Sequence, residues 1–322
     1  MRYELPSRLV VAVGGNATHP EDIEGTSAEQ AAIAATTARS LLPLTSLNNE
    51  LIITHGNGPV VGKILMRQVL TRDTIAPMPL DICVAHSQGG IAYLLMQAIE
   101  NSLREIGNDR HCAVLLTQVE VDADDSAFDN PSKPIGAFYS EEEAKQISRE
   151  LGWQMKEDSG RGWRHVVPSP RPQHICDISL VQELSQRGTI VIAGGGGGIP
   201  VIRQAKDVRK GVAAVIDKDL TSAHMANIMD IPVLMILTAV KQVAIHFGTS
   251  KERLLDQVSL SELKQYRQDG HFPEGSMGPK IDAAIGFLEA GGKRVVIAHA
   301  EEVLAALTGE SGTHIVSDHT VA

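Results

Sequence analysis

Thr189-Ile190-Val191-Ile192-Ala193-Gly194-Gly195-Gly196-Gly197-Gly198-Ile199-Pro200-Val201 places five consecutive glycines directly behind an aliphatic run. Glycine loses the most backbone freedom on folding, so a run of it weakens any helix or strand that contains it. The stretch therefore reads as a buried strand that ends where backbone must come very close to something. In open α/β sheets the carboxyl ends of the strands are where ligands sit. N–H groups with no side chain in front of them suit phosphate oxygens. A flexible linker would mix in serine and polar residues, and aliphatic segments would not bracket it. The stretch points to a chain that handles phosphate.

The same rhythm continues on both sides. Aliphatic segments at 9–13, 50–54, 113–121, 189–193, 233–237 and 294–299 show little alternation, the pattern of strands covered on both faces. Between them, 26–42, 89–106, 178–187 and 280–290 carry apolar residues at helical spacing. Alternating strands and helices predict an α/β fold with a mainly parallel sheet and helices packed on either side. One region breaks the pattern. Residues 122–171 are polar and turn-rich and hold both tryptophans, Trp153 and Trp163. That is too long for an ordinary loop, so the expectation is one domain over 1–322 with a protruding subdomain or lid, 122–171, inserted in it.

Composition excludes several classes. The 322 residues carry a net charge of −10, which disfavours non-specific binding to nucleic acid or anionic membranes. The contiguous apolar runs are too short to cross a bilayer, and the amino terminus lacks a signal-like apolar core. Cys83, Cys112 and Cys176 are odd in number and widely spaced, so they read as thiols of a reducing compartment rather than a disulfide frame or zinc site. A cytoplasmic protein is expected.

Two further strand ends look alike. Val10-Val11-Ala12-Val13 runs into Gly14-Gly15-Asn16-Ala17, and Leu51-Ile52-Ile53-Thr54 runs into His55-Gly56-Asn57-Gly58-Pro59. Glycine admits an anion to the backbone, and an asparagine amide adds an orienting donor. The glycine spacings match neither G-x-G-x-x-G nor G-x-x-x-x-G-K-[ST], so the phosphate site must be assembled from several strand ends. Phosphoryl transfer also requires positioned cations. Lys218 lies between Asp217 and Asp219 ahead of a helical stretch, and Lys280 closes Gly275-Ser276-Met277-Gly278-Pro279-Lys280. Lys133, in Asn130-Pro131-Ser132-Lys133-Pro134-Ile135-Gly136, is placed where a lid lysine reaches substrate. Asp219 reads as the organiser of two ammonium groups. Magnesium held mainly through nucleotide phosphates needs few protein ligands, and no protein metal site is expected. His55 and His86 lack partners at metal spacing and read as core or edge residues. Trp153 and Trp163 read as anchors of the small subdomain, and Arg161 and Arg164 as exposed cations.

At these residues the chain resembles the carbamate kinase family of the amino-acid-kinase superfamily. The likeness runs in order through 12–17, 54–59, Ser87-Gln88-Gly89, Thr117-Gln118-Val119, 130–136, 162–170, 195–200, 215–220 and 275–280. It implies a three-layer αβα sandwich, a homodimer, a subdomain over the active site, and magnesium-dependent phosphoryl transfer between carbamoyl phosphate and ADP within arginine or purine catabolism. It further implies that Gly14, Gly15, Asn16, Gly56 and Asn57 hold carbamate and the transferred phosphate. Lys133 would reach substrate, and Lys218 and Lys280, organised by Asp219, would stabilise the migrating group. Gly195, Gly196, Ala239, Met277 and Gly278 would flank the nucleotide. The chain departs from the family at Thr238-Ala239-Val240, where Thr-Asp-Val is usual, and at Val243-Ala244-Ile245, where a Val-Tyr is usual. That implies altered polar and stacking contacts around the nucleoside. Two other readings stay open: a kinase of another small carboxylate or carbamate-like acid, and a non-catalytic binding relative.

Overall fold

A computed structural model describes residues 2–15, 20, 23–158, 160–273 and 277–318. Its first part runs β1 (Arg8–Val13), α1 (Ser27–Thr45), β2 (Glu50–His55), α2 (Gly58–Thr71), α3 (Leu80–Glu105), β3 (Cys112–Val114) and β4 (Gln118–Val121). The middle part runs β5 (Lys133–Tyr139), α4 (Glu141–Leu151), β6 (Met155–Glu157), β7 (Trp163–Val167), β8 (Pro172–Ile175), α5 (Ile178–Gln186), β9 (Ile190–Ile192), β10 (Ile199–Arg203) and β11 (Arg209–Gly211). The last part runs α6 (Lys218–Ile228), β12 (Val233–Thr238), β13 (Val243–Ile245), β14 (Arg253–Leu255), β15 (Gln257–Ser259), α7 (Leu260–Gln268), α8 (Met277–Glu289), β16 (Arg294–His299), α9 (Val303–Thr308) and β17 (Thr313–Val316).

The aliphatic strands form an eight-stranded sheet in the order β15-β17-β16-β12-β1-β2-β9-β3. From β16 to β3 all neighbours are parallel, and β17 joins antiparallel to β16. Alternate side chains of each strand feed two separate cores. Val10, Ala12, Leu234 and Ile236 pack with Met225, Ile281 and Phe287 of α6 and α8. Leu9, Val11, Val13 and Met235 pack with Leu41, Leu95 and Leu307 of α1, α3 and α9. That is the expected three-layer αβα sandwich. α3 spans 26 residues and is apolar enough by length and composition to cross a membrane, with a mean hydropathy of 1.2 over its best window. Its Leu95, Ile99 and Leu103 are instead buried against the sheet.

The segment 113–121 is not the single strand its apolar run suggests. It splits into β3, at the edge of the main sheet, and β4, in a second sheet ordered β11-β10-β4-β8. The break is explained by two hydrogen bonds at Thr117. Thr117 donates its N–H to Gln88 Oε1 at 2.7 Å, and its hydroxyl accepts from Gly194 N–H at 2.9 Å. Those bonds pull the chain out of the main ladder to support the glycine run.

Between β4 and β8 the chain builds a small sheet, β5-β7-β6, beside α4. α4 starts with a Ser140/Glu143 capping box and stops at Gly152, which takes the left-handed conformation. Trp153 stacks on His165 with ring centroids 4.1 Å apart, so this tryptophan anchors the small sheet. The root of this unit is apolar: Ile135 and Val167 pack against Val61, Leu80, Val84 and Val215 of the main body.

Candidate active site

The three glycine-rich strand ends meet at the carboxyl edge of the main sheet, on a cleft of about 1140 Å³. The close approach expected of them is visible in what a methyl group would strike. A Cβ on Gly14 would lie 2.8 Å from the Leu237 carbonyl oxygen, and one on Gly56 would lie 2.9 Å from Gly15 N. A Cβ on Gly196 would lie 2.3 Å from Asn57 Nδ2. The Asn57 amide donates to Ser87 Oγ at 2.8 Å, and Gln88 Nε2 donates to the Gly195 carbonyl at 2.7 Å. The cradle is thus backbone held by a buried polar scaffold. His55 belongs to that scaffold: it is fully buried, and its Nδ1 lies 3.1 Å from the Gly56 carbonyl. Burial pushes its pKa down to about 4, so the ring is neutral. His86 is exposed on α3.

The charged half of the cleft is organised around the start of α6. Asp217 is the N-cap, and its Oδ1 accepts from Asp219 N–H at 2.8 Å and Leu220 N–H at 3.4 Å. Asp219 stands between two lysines, with Lys218 Nζ at 2.5 Å from Oδ1 and Lys280 Nζ at 3.2 Å from Oδ2. Lys133 Nζ pairs with Asp217 Oδ2. Asp217, Lys218 and Asp219 are each less than a tenth exposed. Burial alone would raise both carboxyls, yet the surrounding ammonium groups prevail and hold both below the ordinary carboxylate range. Burial pushes Lys218 below its ordinary value, with Asp219 opposing. Burial acts the same way on Lys280, but Asp219 and Asp217 outweigh it and hold that ammonium above its ordinary value. Two cations are therefore fixed on one buried carboxylate at the cleft wall.

Gly14, Gly15, Gly56, Asn57, Lys133, Gly196, Lys218, Asp219, Ala239, Met277 and Lys280 all line the cleft. Gly195 and Gly278 do not. Gly195 lies behind the surface, where a Cβ would fall 2.2 Å from His55 Nε2, and Gly278 is buried in α8. Asn16 lies outside the described residues, as do Gly275 and Ser276. The lining also includes the apolar side chains of Ala244, Phe247, Leu254 and Phe272.

Among the cleft residues that the sequence reading did not assign to the site are Asp158, Arg161, Arg164 and Asp217. Arg164 is not an exposed cation. It is 8% exposed, 3.3 Å from Asp158 and 4.9 Å from the Phe138 ring centroid. Asp217 carried a usable signal, an aspartate directly ahead of a helix. Among the described residues no group of three or more His, Cys, Asp or Glu is arranged to hold a metal ion.

Comparison with known proteins agrees with this geometry. The amino acid kinase family profile matches residues 7–299. The chain is 46% identical to the carbamate kinase of Pyrococcus furiosus over 314 residues, covering 97% of this chain and 100% of that protein. The structure of carbamate kinase from Giardia lamblia bound to citric acid superimposes with a TM-score of 0.92 at 39% identity, covering 96% of this chain and 98% of that one. The same enzyme bound to AMP-PNP gives a TM-score of 0.86 at 40% identity, with the same coverage.

Proposed function

The chain belongs to the amino acid kinase family and is a carbamate kinase-like, ATP-dependent phosphotransferase, and on that premise we propose that Lys218 and Lys280, aimed by Asp219, carry a phosphoryl group between carbamoyl phosphate and ADP. A terminal oxygen of ADP forms the new bond to phosphorus as the bond from phosphorus to the carbamate oxygen breaks. Carbamate leaves as an anion, so no proton has to move and no covalent enzyme intermediate is needed. Negative charge on the three equatorial oxygens and the leaving group is what the site must offset. Lys133, Lys218 and Lys280 oppose Asp217 and Asp219, three cations against two anions, so this cluster carries one net positive charge toward the incoming phosphate.

Gly14, Gly15, Gly56 and Asn57 would hold carbamate and the transferred phosphate, with Asn16 beside them in sequence. Gly196 would approach the phosphates, supported by Gly195, while Ala239 and Met277, backed by Gly278, would flank the nucleoside. Both buried aspartates are already engaged by lysines, a donor set that suits a magnesium ion carried by the phosphates rather than by the protein. Magnesium, when bound with the nucleotide, supplies charge neutralisation on the phosphate oxygens. Residues 122–171 would act as a lid on a single domain, and the working protein would be a cytoplasmic homodimer of arginine or purine catabolism.

The observation that carries this reading is the pair of ammonium groups on the Asp219 carboxylate. A substrate panel tests it. With ADP and Mg²⁺, carbamoyl phosphate should give ATP at least a hundredfold faster than acetyl phosphate. Equal rates would indicate a kinase of another small acid, and no ATP from any donor would indicate a non-catalytic relative.

A further inference from the structure

Lys133 sits at the root of the small sheet rather than at its tip. It pairs across to Val167 in the β5–β7 ladder, and Val215 N–H donates to the Pro168 carbonyl at 2.9 Å one step further on. Ile135, two residues away, is fully buried against the main body. A methyl group on Gly62 would lie 2.1 Å from Gly136 Cα, so α2 and β5 are in direct backbone contact there. The Lys133 backbone is therefore fixed to the core. Only its four-carbon stem leaves the ammonium free to wander, and that ammonium is held by Asp217 Oδ2.

The other oxygen of Asp217 accepts the N–H groups of Asp219 and Leu220, in the first turn of the helix that carries Lys218 and Asp219. A cap alone does not require a charge, because serine, threonine and asparagine cap as well as aspartate. A carboxylate only 6% exposed is costly unless it is paired, and Lys133 is the group that pairs it. We propose that Asp217 is a positioning residue: one buried carboxylate ties the lid lysine to the first turn of α6 in a single frame, so that Lys133 is held toward bound substrate beside the Lys218–Lys280 pair. The Lys133–Asp217 contact crosses 84 positions in sequence. It is a charged link between the small sheet and the helix that bears Lys218. This inference rests on the phosphotransferase reading, and wild-type ATP formation tests that reading separately.

Asp217→Asn keeps an oxygen for the cap and removes the charge that holds Lys133. Asp217→Ser keeps only the cap. Both, and each combined with Lys133→Ala, are measured by steady-state ATP formation and thermal unfolding. Interactions made equally in the ground and transition states appear in KM. The expected result is a roughly tenfold rise in KM for carbamoyl phosphate in both single variants, with kcat within threefold and KM for ADP unchanged. In the Lys133→Ala background the same substitutions should change KM less than twofold, because the residue through which Asp217 acts is gone. Multiplicative effects in the doubles, or a fall in kcat and melting temperature with KM unchanged, would reduce Asp217 to a helix cap and overturn the proposal. A fall in KM would overturn it as well, by showing that Asp217 withholds Lys133 from substrate.

Discussion

Gly196→Ala is the sharpest test of the cradle. Gly196 has φ +66 and ψ 17, the left-handed region, and lies against Asn57. Placing an L-residue there costs about 1–2 kcal/mol. The new Cβ would sit 2.3 Å from Asn57 Nδ2 and 2.5 Å from its Cγ. Asn57 must then leave its rotamer, at about 1 kcal/mol, and give up the 2.8 Å bond to Ser87, about 1 kcal/mol more. The loss totals roughly 3 kcal/mol. For 322 residues, at an unfolding entropy of about 2.1 cal/mol/K per residue, that lowers Tm by roughly 4 °C. Asn57 lines the cleft, so kcat/KM for carbamoyl phosphate should fall at least tenfold. Gly90→Ala is the control. Gly90 is exposed inside α3 with nothing within 4 Å of its Cβ position, so alanine should raise stability by about 0.5–1 kcal/mol. Scanning calorimetry and the coupled assay read both variants. If Gly196→Ala melts and turns over like wild type while Gly90→Ala behaves as described, the close approach at the glycine run is wrong.

Two further outcomes follow from buried groups. The native His55 ring stays neutral down to about pH 4, whereas the unfolded ring takes up its proton near 6.5. The unfolded state therefore binds the extra proton in that window, and stability is lost as pH falls through it. The contribution reaches about 3 kcal/mol at the acid end, so His55→Gln should flatten Tm against pH between 6.5 and 4, and parallel curves would contradict the burial argument. Arg110 donates to the carbonyls of Thr45, Leu47, Asn49 and Gly188 and to Asn49 Oδ1. Arg110→Ala should cost about 3 kcal/mol by leaving those acceptors unmet, with kcat within twofold of wild type; an unchanged Tm would show that water replaces the guanidinium.

The main sheet was legible because its central strands are apolar on both faces and because β1 and β2 are each followed by a helix. Segments that owe their structure to distant partners were not. The run 113–121 looks continuous, yet Thr117 is drawn away by Gln88 and Gly194, neither of them nearby in sequence. β15 and β17, of three and four residues, are too short for any periodicity to declare them. In the cleft, Gly14, Gly56, Gly196, Lys218 and Lys280 could be read because their chemistry is carried by their immediate neighbours. Asp217 showed in the sequence as a charge beside Lys218, directly ahead of a helical stretch. Its pairing with Lys133, like the burial of Arg164 against Asp158 and Phe138, comes from chain segments that meet only on folding.

The central claim is that two lysines fixed on Asp219 stabilise the migrating phosphoryl group. Single-turnover ATP formation from carbamoyl phosphate and Mg²⁺-ADP, measured for wild type and Lys280→Ala, tests it most directly. Removing one preorganised charge donor should slow the chemical step about 10²–10³-fold, with ADP binding nearly unchanged. A Lys280→Ala rate within threefold of wild type would show that the phosphoryl group is stabilised elsewhere, and the account of this cleft would be wrong.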